Sequence, residues 1–195
     1  WEDWSSIMKV QKQLRKQYLA DSSNPKLRED YIIVSLYTLL PPRRLEYCEI
    51  EPIQKQKFNN LTDLNRRTGI YYVWRTTKPY FYFGEKSCKV PTLNPVKIEV
   101  PSQLKQPISR LLTYRTTHNK SPYLFTEDKN AFGKRISNIF ARFNMDINCV
   151  MLRKIYLSDL KENKTYNESN EKMKQIAEQM NHSQQVQQII YTKKD

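Results

Sequence analysis

Asn181-His182-Ser183-Gln184-Gln185-Val186-Gln187-Gln188-Ile189-Ile190-Tyr191 stands four residues from the end of a 195-residue chain. It sets one of the chain's two histidines nine residues before a tyrosine. Val186, Ile189 and Ile190 fall at i, i+3 and i+4, which predicts a short amphipathic helix. Another helical run precedes it, with Met173, Ile176, Ala177 and Met180 on one stripe. Asn181 lies between the two, and asparagine readily takes the left-handed conformation that ends a helix. The spacing predicts a helix-stop, helix-start corner, with His182 at the corner and Tyr191 about two and a half turns on. By itself this is the pattern of an ordinary C-terminal helix with a surface tyrosine. The residues upstream decide its meaning.

The length fits one domain, or one with a small appendage. Hydrophobic residues make up 38% and aromatics 12%, with 13 tyrosines, enough for a packed core. The net charge is +13, which on so small a chain favours a polyanionic partner, with nucleic acid first. An anionic membrane fits less well, because no long basic amphipathic helix and no apolar run of spanning length is present. Cys48, Cys88 and Cys149 are odd in number and far apart. They form neither a zinc-ligand spacing nor a secreted disulfide framework, and read as reduced core or surface thiols. No signal peptide is visible. The chain opens on Trp1 without methionine, as expected of a fragment.

Residues 4–19 carry Trp4, Ile7, Met8, Leu14, Tyr18 and Leu19 on roughly one helical stripe, with lysine, arginine and glutamine opposite. Asn24-Pro25 is a cap followed by proline at the first helical position. The helix it opens is almost continuously apolar from Tyr31 to Leu40, which predicts burial on most sides, and Pro41-Pro42 ends it. Pro42 is also placed to open a helix holding Arg43, Arg44, Leu45, Glu46 and Tyr47. The middle changes character. Ile70–Arg75, Tyr80–Phe83 and Val96–Val100 read as three strands of a small antiparallel sheet, with Gly84–Lys89 a polar tip. Helices are predicted at 104–114, along Phe132, Ile136, Ile139, Phe140 and Phe143, and over 150–160. His118 has no motif around it and reads as a loop residue.

Four features then line up: Arg43-Arg44-Leu45-Glu46-Tyr47 after a buried helix, Lys86 at a strand tip, Leu152-Arg153 in an apolar helix, and His182…Tyr191 at the end. This order resembles the catalytic domain of the tyrosine recombinases (phage integrases, Xer-type and Cre-type enzymes). Leu36–Leu40 leading to Arg43-x-x-Glu46-Tyr47 resembles their first arginine box. Val150-Met151-Leu152-Arg153-Lys154-Ile155-Tyr156 resembles their second. Met180-Asn181-His182-Ser183…Ile190-Tyr191-Thr192 resembles their closing box, with the His-to-Tyr spacing kept. The resemblance runs from about residue 25 to 192, and the closing box is its most specific part.

The resemblance implies a mostly helical α+β fold with a small three-stranded antiparallel sheet, the fold of the DNA breaking-rejoining enzymes. It implies one catalytic domain over 1–195, with the family's N-terminal core-binding domain absent. It implies a site-specific recombinase or integrase that cuts and rejoins strands through a covalent 3′-phosphotyrosine, without metal, ATP or cofactor. Attack on a phosphodiester builds charge on the nonbridging oxygens, which arginines grip bidentately and a histidine can share. Arg43, Arg153 and His182 match those roles, and Tyr191 matches the nucleophile. Lys86 matches the lysine that protonates the leaving 5′-oxygen, with Lys89 the alternative. Arg44, Lys89 and Lys154 are expected on DNA. A type IB topoisomerase or telomere resolvase, and a catalytically dead DNA-binding module, are the alternatives.

One position departs from the family. Its second box usually begins with a histidine three residues before the arginine, associated with accepting the nucleophile's proton. Here that residue is Val150, which accepts none. The implied partners are double-stranded DNA and further copies of the chain in a synaptic tetramer, with a monomer in isolation and no membrane. The implied location is intracellular, wherever the target DNA lies: nucleus, viral factory or bacterial cytoplasm. Lysine-, asparagine-, isoleucine- and tyrosine-rich usage with three glycines hints at an AT-rich source such as a mobile element or virus.

Overall fold

The computed structural model describes residues 2–85, 95–118, 121–125, 128–162 and 170–181. The chain divides into two compact units, one of Trp1–Arg44 with Asn130–Asp195 and one of Leu45–Lys129.

The first unit is helical. α1 (Trp4–Ala20) starts at Asp3, whose carboxylate accepts the Ser6 N–H at 2.7 Å. It buries Ile7, Val10, Leu14 and Tyr18 at helical spacing. α2 (Pro25–Thr38) is capped by Asn24, which accepts from the Lys26 and Leu27 N–H groups. Every residue from Asp30 to Thr38 is buried, so the continuous apolar run has the role its sequence predicts. Between α1 and α2, Tyr18 stacks on Tyr31 and Gln11 donates to Ser35 at 3.1 Å. α6 (Lys129–Ala141) buries Phe132, Ile136, Ile139 and Phe140, the predicted stripe.

Asp30 ties α2 to the α6 region. Its Oδ1 accepts from Arg135 Nε and Nη2 at 3.2 and 2.9 Å, and its Oδ2 accepts from Arg142 Nη2 at 2.7 Å. A third Arg135 nitrogen, Nη1, donates to Glu29 at 2.7 Å. α7 (Cys149–Glu162) and α8 (Asn170–Gln179) meet through Leu157, Ile176 and Met180, and Trp4 sets its ring edge-on to Tyr156.

The helix expected to open at Pro42 is not formed. Pro41–Arg43 has no regular structure, and the only helical piece near it is a 3-10 turn over Glu46–Glu49. A helix through Arg43 would use the Arg43 and Arg44 carbonyls for its own ladder. Here the Cys149 thiol donates to the first at 3.4 Å and the Tyr37 hydroxyl to the second at 2.5 Å.

The second unit carries the sheet: β1 (Glu51–Gln54), β2 (Ile70–Trp74), β3 (Tyr80–Phe83) and β4 (Val96–Glu99), in that spatial order. β2, β3 and β4 are the three antiparallel strands the sequence predicts. β1 is an addition and makes the sheet four-stranded and mixed, since it pairs parallel to β2. A parallel neighbour needs a crossover, and α3 (Lys55–Asn59) and α4 (Asp63–Thr68) supply it. Pro52 cannot donate to a ladder, which hides the strand in the sequence and confines it to the sheet edge where it lies. β2 and β3 are apolar on both faces because both are covered. Phe58 packs on Tyr71 and Tyr82 on one side, and Tyr47 meets Phe81 and Phe83 edge-on on the other. α5 (Ser102–Thr117) follows the sheet, and His118 ends it with Nδ1 2.7 Å from the Tyr114 carbonyl oxygen. No helix among the described residues is long and apolar enough to cross a membrane.

Candidate active site

The first unit brings Arg43 and Arg153 to the same helix end. Arg43 leaves the segment after α2, where the Tyr37 and Cys149 contacts hold two successive peptides in place of a helix. Arg153 sits one turn into α7. That helix starts at Asn148, whose side chain accepts the Met151 N–H at 3.0 Å. Both guanidinium groups are buried, Arg43 at 0% and Arg153 at 1% exposure. Arg43 Nη1 donates to the Gln179 carbonyl at 2.5 Å, and Arg153 Nη1 to the Met180 carbonyl at 3.1 Å.

These are the terminal carbonyls of α8, where the helix dipole places partial negative charge. A buried cation needs compensation, and the helix end contributes some of it. A guanidinium presents five N–H donors in a planar fork, the shape that grips a phosphate. Two such groups at one place form a centre suited to an anion whose charge grows during reaction.

Asn181 closes α8 as the sequence predicts. Its φ is +57°, and its N–H donates to the Glu178 carbonyl at 3.0 Å. It is fully buried, so the helix stop is fixed rather than frayed. The next residue in sequence is His182. His182, Tyr191, Lys86 and Lys89 lie outside the described residues. Arg44 and Lys154 are half-buried neighbours of the two arginines in sequence.

Val150, the departure in the second box, is 54% exposed on the first turn of α7. Its exposure makes it a poor fit to a purely structural apolar role. Sequence reasoning missed Tyr37 and Cys149 as supports of the Arg43 segment, because nothing in the local pattern of either residue signals a bond to a distant carbonyl. Cys48 and Cys149 are free, buried thiols, as the reduced-thiol reading holds, and burial pushes Cys48 up to about 11. Cys88 is outside the described residues. Among the described residues, no group of three His, Cys, Asp or Glu side chains is placed to hold a metal ion.

The crystal structure of XerA recombinase matches 96% of this chain with a TM-score of 0.56 at 14% identity, and the chain spans 59% of that structure's length. The chain has a tyrosine recombinase-like fold. No protein-family model and no curated protein matches it. At 14% identity the likeness concerns the fold, and it agrees with the expected helical domain bearing a small sheet. Within that recombinase-like fold, the two buried arginines on one helix end are the chain's own contribution to a reading of its site.

Proposed function

We propose that this chain is the catalytic domain of a site-specific DNA recombinase or integrase. The observation that carries the reading is the meeting of Arg43 and Arg153 on the Gln179 and Met180 carbonyls, immediately before His182. Separate parts of the sequence resembling two arginine boxes are thereby joined to the start of the closing box.

In this reading Tyr191 Oη attacks the scissile phosphorus. A P–Oη bond forms, the bond from phosphorus to the 5′-oxygen breaks, and the product is a 3′-phosphotyrosine. Arg43, Arg153 and His182 hold the nonbridging oxygens as charge builds. Lys86, or Lys89 at the same tip, protonates the leaving 5′-oxygen. The phenol's proton passes to His182 or to solvent, since Val150 takes none. The bond energy stays in the phosphotyrosine, so rejoining requires no ATP and the scheme assigns no role to a metal. Arg44 and Lys154 contact the DNA backbone. Four copies assemble on DNA around a chain that is monomeric alone, and the protein works wherever its target DNA lies.

The exposed Val150 favours one second reading, a DNA-binding module without chemistry. A library of end-labelled duplexes of randomised sequence, each carrying a nick to prevent rejoining, separates the two. A detergent-resistant protein–DNA adduct supports the enzyme. Binding without any adduct supports the module.

A further inference from the structure

We infer that α1 carries a separate phosphate-contact ridge for duplex nucleic acid. The inference rests on the proposed DNA function for its choice of partner, and on α1 for its place. The buried side of α1 is accounted for by Ile7, Val10, Leu14 and Tyr18. Lys9, Lys12, Arg15 and Lys16 are all exposed. Lys9, Lys12 and Lys16 stand at i, i+3 and i+7, one stripe of the helix, with Gln13 among them.

No carboxylate lies anywhere in α1. The nearest in sequence are Glu2 and Asp3 before it and Asp21 after it. Asp3 is engaged in capping the helix and Asp21 accepts from Ser23. None of Lys12, Arg15 and Lys16 makes an ion pair with a described residue. Like charges at i, i+3 and i, i+4 destabilise a helix, and an ordinary solvated helix relieves them with interspersed glutamates. α1 has three such pairs, Lys9–Lys12, Lys12–Arg15 and Lys12–Lys16, and no relief. A polyanion supplies it.

The fit in length favours a duplex backbone. Lys9 to Lys16 rises about 10 Å along the helix, close to the axial advance of about three phosphates on one strand. Lysine acts on phosphate as a point charge on a flexible stem, which suits sequence-independent contact.

The test is the salt dependence of binding of the full chain to a random-sequence 40-base-pair duplex. The variant Lys9→Gln/Lys12→Gln/Lys16→Gln is compared with a charge-matched one, Lys26→Gln/Lys134→Gln/Lys161→Gln, which removes three scattered exposed lysines. The ridge variant is expected to lower the slope of log K against log salt by about 2 to 3, at about 0.9 per phosphate contact, and the scattered variant by less than about 1. Equal slopes for the two variants, or a ridge slope equal to that of the unaltered chain, overturn the inference. Thermal melting by circular dichroism confirms that α1 is intact in the ridge variant. Adduct formation on nicked duplex is read in parallel. Its absence in the unaltered chain defeats the catalytic reading while leaving the slope comparison valid.

Discussion

Arg43 and Arg153 donate to carbonyls of adjacent residues, Gln179 and Met180, at the last turn of one helix. The positions of the two guanidinium groups are therefore coupled to each other and to the point where the chain continues into His182. Arg43→Lys and Arg153→Lys each replace a planar fork by a point charge. Each is expected to lower the adduct-formation rate by about 100-fold or more, the scale of losing one oxyanion donor. Quantified adduct yields over time on nicked duplex check this. Duplex affinity should change by less than tenfold.

Val150 is exposed on the first turn of α7, at the position where a proton acceptor is expected. Val150→His is expected to accelerate adduct formation at neutral pH by at least about tenfold, within the range of a positioned general base. It should also introduce a rise in rate with pH centred near the ordinary histidine value of about 6.5. A surface change of this kind should alter stability by no more than about 0.5 kcal/mol. Single-turnover rates across pH 5–8 give the comparison.

Asp30 is buried and accepts from both Arg135 and Arg142. Asp30→Ala leaves two partly covered cations without their shared acceptor. The expected loss is about 2–3 kcal/mol, below the figure for a fully buried pair because Arg142 is 40% exposed. Urea unfolding measures it, with Asp30→Asn predicted to fall between.

Asn181 holds φ +57° while fully buried. Asn181→Gly keeps that backbone free of strain, whereas Asn181→Val forces a β-branched residue into the left-handed region at a cost of about 1–2 kcal/mol. The valine variant should therefore melt below the glycine variant, and should form adduct more slowly because the step into His182 shifts.

Burial raises Cys48 to about 11, and Tyr72 and Tyr156 to about 12 each. Unfolded, these groups release their protons near 9 for the thiol and 10 for the phenols. Above those values the unfolded state binds fewer protons than the folded one, so stability falls as pH rises. The contribution is complete below pH 9 and is lost progressively between about 9 and 12. Melting temperatures measured from pH 8 to 11 should decline, and Tyr72→Phe should flatten the upper part of the decline.

The parts of the fold that were legible in the sequence are those whose period is set by burial on one side. The Phe132, Ile136, Ile139, Phe140 stripe and the Tyr80–Phe83 strand reappear at their expected places. So does the left-handed stop at Asn181, because few side chains tolerate that conformation. β1 was illegible because it is four residues long, contains Pro52 and draws its stability from a neighbour across a crossover. The segment at Arg43 reads locally as a helix start, and only the distant Cys149 thiol and the Tyr37 hydroxyl show why it is not one. Val150 reads as one more apolar residue of its helix, and its exposure is a fact of packing. Burial of Arg153 followed from its apolar surroundings, but its partner, a helix end, did not.

The central claim is that Tyr191 becomes covalently joined to DNA. Mass spectrometry of the protease-digested adduct from nicked duplex tests it most directly. The expected result is a single nucleotide-bearing peptide, modified on the residue 191 phenol and absent from Tyr191→Phe. An adduct that persists in Tyr191→Phe, or a protein that binds every duplex and joins to none, contradicts the claim.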